Sequence, residues 1–351
     1  MKSLLQRIVP LLQRIVPLLQ RILRSPGVKP HIERLVIPAG DLLLAPLVLL
    51  AAWLLKLVRR VGVYRMKISR AILRRVGVFP IRDHYYEPMF HPRHLRRPLC
   101  EVRHLPGIDF NVAGQLELLG RFDYAAELER IPRRGAAGTF YYDNPNFPAG
   151  DAEYLYCAIR HFKPARILEI GSGFSTLMML RAVAANRAQD ASYRCSVVCV
   201  EPYEMGWLEA TPGIEVVRQP VETLDEQRIR ELRPNDILFI DSSHVLRPQG
   251  DVVREYLELL PLLAPGVLVH LHDIFTPRDY PERWVVDEVR LWNEQYLFEA
   301  FISHNGAFRI VGALNLLAHS HPEALAEKFP VFREKAGACD PGSMWLVRSA
   351  T

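Results

Sequence analysis

The sequence predicts an α/β protein built on a doubly wound, seven-stranded sheet, with an N-terminal basic, hydrophobic helical extension. Three observations carry that expectation. From residue 166 onward, short apolar and β-branched runs alternate with helical segments, the pattern that sets parallel strands between covering helices. The first of those runs ends in an acid followed by a Gly-Ser-Gly turn that opens a helix. The conspicuous polar residues of the second half fall at strand ends, the edge where open α/β sheets bind their ligands.

Three regions are expected: a basic, hydrophobic stretch over 1–80, a helical and loop cap over 81–140, and a catalytic domain over 141–351. The formal charge of +5 is unevenly shared, because residues 1–80 hold fifteen Lys and Arg against Glu33 and Asp41, a net +13, leaving −8 for the remainder. The basicity therefore belongs to the N-terminal region. Residues 4–10 repeat as 11–17 and partly as 18–22; each full copy ends in proline, which argues against a coiled coil. Residues 42–55 are fourteen uncharged residues, about 21 Å of helix against the ~30 Å of a hydrocarbon core. This length favours a monotopic or re-entrant membrane contact through residues 1–75, ahead of a buried or homo-oligomer helix and ahead of a true span. Basic residues on both sides leave the orientation of a single crossing open. The run begins too far into the chain, and without a small-residue cleavage motif, for a cleavable signal.

Two proline-punctuated polar segments, 82–88 and 103–109, read as ordered cap elements, with His84, Tyr85 and Tyr86 a candidate substrate lid. Helical periodicity follows over 115–130 and again near 151–162. Strands are expected at 166–170, 195–200, 214–218, 236–240, 267–271, 308–312 and 344–347. The five cysteines are odd in number and widely spaced, and read as reduced core residues of a cytoplasmic protein.

The first strand leads into Glu169, Gly171, Ser172 and Gly173, with Ser175 opening the helix. The two glycines let backbone approach a ligand closely. Thr176 stands where a dinucleotide site needs a third glycine, and Glu169 would repel a phosphate, so a pyrophosphate is disfavoured. Glu201 ends the second strand, placed to accept hydrogen bonds from both hydroxyls of a ribose. Asp241 and His244 follow the fourth strand, and His272 and Asp273 the fifth. These are residue types for a divalent metal or for general-base work. His270 lies one step deeper on the face of His272 and reads as a structural polar residue.

The succession EIGSGFST, VEP, DILFIDSSH, LLAPGVLVHLHDIF and NEQYLFEAF, over roughly 141–347, resembles the class I S-adenosylmethionine (SAM) dependent methyltransferases, in particular the group numbered type 24. That group includes O-methyltransferases of macrolide sugars. The resemblance implies a Rossmann-like sheet, with Glu169, Gly171, Ser172, Gly173, Ser175 and Glu201 holding SAM. It implies His244 as the base for a hydroxyl, with Asp241 and two later acids on magnesium. His272 departs from the pattern, because it stands where the first of those acids would be. A site of Asp241, Asp273 and His272 has one carboxylate fewer and is softer and less suited to magnesium. Without a cation, Asp241 would instead orient His244.

The expected activity is therefore O-methylation of a small-molecule, sugar or glycan-like hydroxyl. The rivals are an iron enzyme like the cephalosporin 7-hydroxylation component, which resembles this fold, and a non-catalytic SAM-fold scaffold at a membrane. Nucleic acid is disfavoured as a partner by the acidic catalytic part and by the lack of an N/D-P-P-Y/F motif. No G-x-S-x-G elbow, zinc motif or P-loop occurs.

Overall fold

The computed structural model describes residues 32–350 apart from Ala137 and Ala336; the repeat over residues 4–22 lies outside the described residues. The chain divides into two compact units, Met1–Arg96 and Arg97–Thr351, so residues 97–140 fall in the second.

In the first unit a π-helical turn, Ile32–Val36, leads into α1, Ile37–Val61. Pro38 sits in the first turn, where a missing N–H is tolerated, and Gly62 ends the helix at φ 103°. The apolar run over 42–55 is thus the middle of a 25-residue helix, about 37 Å long. The sequence-based length ended at Asp41 and Lys56, whereas the backbone carries helix through both. Helix α2, Lys67–Val76, closes on Gly77, whose left-handed backbone lets its N–H reach the Leu73 carbonyl. Arg59 donates two 2.7 Å hydrogen bonds to Glu87. Tyr85 and Tyr86 are exposed and pack edge to face on each other, so they belong to no core.

The second unit holds all seven expected strands: β1 Arg166–Ile170, β2 Ser196–Val200, β3 Ile214–Val217, β4 Ile237–Ile240, β5 Leu268–Leu271, β6 Phe308–Ala313 and β7 Met344–Arg348. They form one sheet in the order β3-β2-β1-β4-β5-β7-β6, parallel except for β7, which runs antiparallel to both neighbours. Side chains alternate between two cores: Ile167, Phe239, Leu268 and Trp345 pack on one face, and Leu168, Ile240, Val269 and Leu346 on the other. With both faces covered, strands read as continuous apolar runs, which is why they were legible. The periodicity over 115–130 resolves into α3, Val112–Gly120, and α4, Ala125–Glu129, separated by a turn. Helix α5 spans Asp151–Phe162, and α6, Phe174–Gln189, starts directly after Gly173. Cys157, Cys195 and Cys199 are buried as expected, Cys339 is half-buried, and Cys100 is exposed, which removes it from the core.

Glu153 ties the start of α5 to the C-terminal part of the unit. Its buried carboxylate accepts backbone N–H bonds from Gly150 (3.1 Å), Val331 (2.8 Å) and Phe332 (2.9 Å). Glu153→Gln places an N–H against donors and is expected to cost about 2–3 kcal/mol in denaturant unfolding.

Candidate active site

The strand ladders continue one residue past the strands at their carboxyl ends. Glu201 N–H bonds the Val217 carbonyl, Gly171 that of Val200, Asp241 that of Ile170 and His272 that of Ile240. Glu201, Gly171, Asp241 and His272 therefore stand in line along one sheet edge, about 4.8 Å apart. The closeness has a steric consequence: at φ 81°, a Cβ on Gly171 would lie 1.9 Å from the Asp241 carbonyl oxygen. Only glycine fits there.

Glu201 is buried and gathers the turn, accepting the Ser172 N–H (3.2 Å) and the Tyr203 N–H (2.9 Å). The Ser172 hydroxyl is buried with no hydrogen-bond partner among the described residues, and a Cβ on Gly173 would meet nothing within 4 Å. An orphaned hydroxyl beside open space above a glycine turn suits a bound cofactor. Glu169 is placed differently. Fully buried, it accepts hydrogen bonds from Ser175 (2.7 Å) and Thr176 (2.6 Å) at the start of α6 and from the Cys199 thiol (3.3 Å). Burial pushes its carboxyl up to about 7 against those donors. Glu169 and Ser175 thus join each other across the turn.

His244 is buried at the tip of β4 with φ 59°, and Asp273 at the tip of β5 has φ 58°. Side chains rarely adopt this left-handed region, and the surroundings must hold it. The Asn293 and Glu294 N–H groups both bond the His244 carbonyl, and the Asn293 side chain accepts the Leu246 N–H at 2.6 Å. These residues open α7, Glu294–Ile302. Glu294, which sequence reasoning missed, is the partner of the imidazole: its buried carboxylate lies 2.8 Å from His244 Nδ1 and accepts the Tyr256 hydroxyl at 3.0 Å. An acid buried in the first turn of a helix was the available signal, within the quoted NEQYLFEAF run.

On its other side, His244 Nε2 stands 3.3 Å from Asp241 and 3.6 Å from Asp273. Burial works to lower the His244 pKa but is outweighed by its hydrogen bonds to Asp241 and Glu294, so the ring is held protonated well above its ordinary value. Burial likewise works to raise Asp241, and the neighbouring His272 and His244 hold it below the usual carboxylate range. Asp241, His244 and Asp273 each offer an atom within 4.8 Å of the others, a set able to share one cation. His272 lies outside that set: its Nε2 is 3.6 Å from Asp273, and its buried Nδ1 finds no partner among the described residues. His270 is fully buried, bonded to Ser343 (2.9 Å) and stacked on Phe239. Asp151, also missed from the sequence, accepts the Ser343 (2.8 Å) and Gly342 (3.2 Å) N–H groups, and burial pushes its carboxyl up to about 6.

Asp151, Asp241, His244, His272 and Asp273 line a cleft of about 700 Å³. Trp292 and Trp284 also line it, Trp292 packed against the His244 ring at 4.3 Å and Trp284 5.1 Å from Trp292. The Arg290 guanidinium lies over both indoles and pairs with Glu288. Ahead of α7 a π-turn, Arg283–Asp287, carries Trp284, and irregular chain carries Trp292.

A family model described as a methyltransferase domain, of the type 24 group, matches residues 168–274. An uncharacterized protein of Archaeoglobus fulgidus is 29% identical over 202 residues, 53% of this chain and 86% of its own length. Among solved structures, the O-methyltransferase of Bacillus cereus in complex with SAH aligns at a TM-score of 0.34 and 15% identity, over 67% of this chain and 90% of that one. MycE methyltransferase of the mycinamycin pathway, with Mg, SAH and mycinamycin VI, aligns at 0.33 and 15% identity, over 65% and 55%. Likenesses this distant carry no argument of their own. The family match spans the Gly171 turn, Glu201, Asp241 and Asp273, and it identifies the domain that carries them as a class I, SAM-dependent methyltransferase domain of the type 24 family.

Proposed function

We propose that the protein transfers a methyl group from SAM to a hydroxyl of a small-molecule acceptor, a sugar or glycan-like ring, with His244 as the base. The observation that carries this reading is the setting of His244. The imidazole is clamped at Nδ1 by Glu294, and Nε2 is turned toward two cleft carboxylates. A hydroxyl is a poor nucleophile toward the sulfonium methyl until its proton is taken, so a fixed base beside the acceptor is what this transfer needs. The indoles lining the same cleft support the acceptor class, because indole faces suit the C–H faces of a sugar ring while carboxylates suit its hydroxyls.

Glu294 fixes the ring and supports the imidazolium that forms. Glu201, Ser172 and the glycines bind SAM in this reading, and Glu169 acts through Ser175 and Thr176 to hold the turn. Asp241 and Asp273 fit a hydrated divalent cation, with magnesium or manganese suited to the carboxylates and His244 too soft a donor to be needed. A cation there would lower the hydroxyl pKa and, by satisfying both carboxylates, leave Nε2 able to accept a proton. One histidine with two carboxylates reverses the donor set of two-histidine, one-carboxylate iron oxygenases, which weighs against the hydroxylase reading. The same reading keeps the catalytic domain in the cytoplasm, where SAM is made, and gives the N-terminal region a membrane contact.

Calorimetry is expected to detect SAM binding; Gly171→Ala should weaken it at least ten-fold and lower stability by about 2–3 kcal/mol, from backbone strain and the clash with Asp241. Failure of the wild type to bind SAM would favour a non-catalytic scaffold.

With radiolabelled SAM and a panel of sugar acceptors, His244→Ala should lower kcat by roughly 10²–10⁴ while SAM affinity stays within about threefold. Glu294→Gln should lower kcat by roughly 10–100-fold. Full activity of His244→Ala sinks the base assignment.

Mn²⁺ binding followed by electron paramagnetic resonance should weaken at least ten-fold in Asp241→Asn and in Asp273→Asn, by the loss of a charged ligand. Unchanged affinity in both removes the cation from these residues.

A further inference from the structure

We propose that α1 crosses a lipid bilayer once, with the chain after it on the cytoplasmic side. This sharpens the membrane contact proposed above into a topology and does not depend on methyl transfer.

The choice between lying on, packing against and crossing a membrane rests on which faces of the helix are apolar. Residues 42–55 contain only Leu, Ala, Pro, Val and Trp. Leu42, Leu43 and Leu44 are each exposed, as are Leu47, Val48, Leu49 and Leu50. At about 100° per residue these consecutive positions encircle the helix and leave no polar face. An interfacial helix needs such a face. A soluble core helix is buried, whereas none of the described residues of α1 is. A second copy of the chain would cover one stripe and leave the other leucines in water. A helix apolar all round over residues 42–55, with none of the described residues covering it, fits hydrocarbon.

The length agrees once the ends are located. Asp41 marks one boundary, and Arg59 and Arg60 the other. Lys56 lies between them, three residues from Arg59, with its ammonium 5.0 Å from the Trp53 ring centroid, a cation–π contact that offsets part of the cost of a charge near the interface. Residues 42–58 then give about 25 Å of helix, within the range of spanning segments.

Orientation follows from counting only near the ends, as the positive-inside rule requires. The twenty residues 56–75 hold eight Lys and Arg, whereas the twenty residues 22–41 hold three. Arg59 is partly neutralised by Glu87, but acids weigh little in this rule. Five of the eight lie beyond α1, and four of those on α2, where Ile68, Ile72 and Val76 form a stripe and Lys67, Arg70 and Arg74 another. That is the pattern of a short helix lying on an anionic lipid surface.

Full-length protein expressed in bacterial cells tests this. It is expected to stay in the membrane pellet after alkaline carbonate washing, and Leu47→Arg/Leu50→Arg is expected to reduce the pellet fraction at least ten-fold while SAM binding by the released protein is unchanged. Cys100, an exposed native thiol, reports the side: an impermeant maleimide should label it in inside-out vesicles and not in intact spheroplasts. Release of the wild type by carbonate, or its recovery as a soluble oligomer, overturns the crossing; labelling in spheroplasts overturns the orientation. Retention in the membrane without SAM binding would instead count against the proposed methyl transfer alone.

Discussion

The site depends on a backbone constraint: the parallel ladder runs one residue beyond β1, β2, β4 and β5 before the chains diverge. Those last ladder bonds set Glu201, Gly171, Asp241 and His272 side by side, from four separate sequence segments. The close approach of the Asp241 carbonyl to Gly171 is part of the same register, so the glycine turn and the acid are sterically one feature. A shift of one residue in β4 would turn Asp241 to the other face and bring a different group against the glycine. The alternating apolar residues of the two cores, Ile237 and Phe239 on one side and Leu238 and Ile240 on the other, oppose that shift.

Beyond the ladder the chain is held by side chains. His244 and Asp273 both adopt left-handed backbone without being glycine, a conformation that costs of order 1–3 kcal/mol each. The first is offset by the N-terminus of α7, whose two N–H groups bond the His244 carbonyl, and the second lies against Gly342, where a Cβ would come within 3.2 Å of the Asp273 Cα. Asp151 fixes that stretch by binding the Gly342 and Ser343 N–H groups. Two of the left-handed non-glycine residues thus line the cleft, and their supports come from segments far away in sequence.

This division explains what could be read from the sequence. Doubly covered strands announce themselves by apolar runs, and their tips by the first polar residue, so Glu201, Asp241, His244 and Asp273 were visible. The direction of a buried carboxylate was not. Glu169 reads as a cofactor ligand by position, yet strand alternation turns it into the core row that includes Cys199 and Phe239. Glu294 and Asp151 were hidden because their partners lie 50 and more than 190 residues away, and nothing in local spacing reports that. The antiparallel insertion of β7 between β5 and β6 was hidden for the same reason. In α1 the difference is one of boundary: the uncharged run over 42–55 is shorter than the helix that contains it, because lysine and arginine stems continue a helix readily.

The excess of acid around His244 bears on the direction of the chemistry. Asp241, Asp273 and Glu294 surround one imidazole, and His272 answers Asp151, Asp241 and Asp273 from the neighbouring strand. Burial alone would make both rings neutral; the carboxylates overcome it and draw protons onto them. Methyl transfer from a sulfonium to a hydroxyl moves positive charge from sulfur to the acceptor oxygen and then onto the base. Carboxylates near the sulfur would stabilise the ground state, whereas carboxylates at the base stabilise the charge after it has moved, provided the ring starts neutral, as it would with a cation on Asp241 and Asp273. On the proposed reading Glu169, at the entry to the cofactor turn, is committed to Ser175 and Thr176, Glu201 holds the turn at the Ser172 N–H, and Asp241 and Asp273 face the cleft beside His244. On that reading, the carboxylates beside His244 favour the charge distribution reached once the ring holds the acceptor's proton.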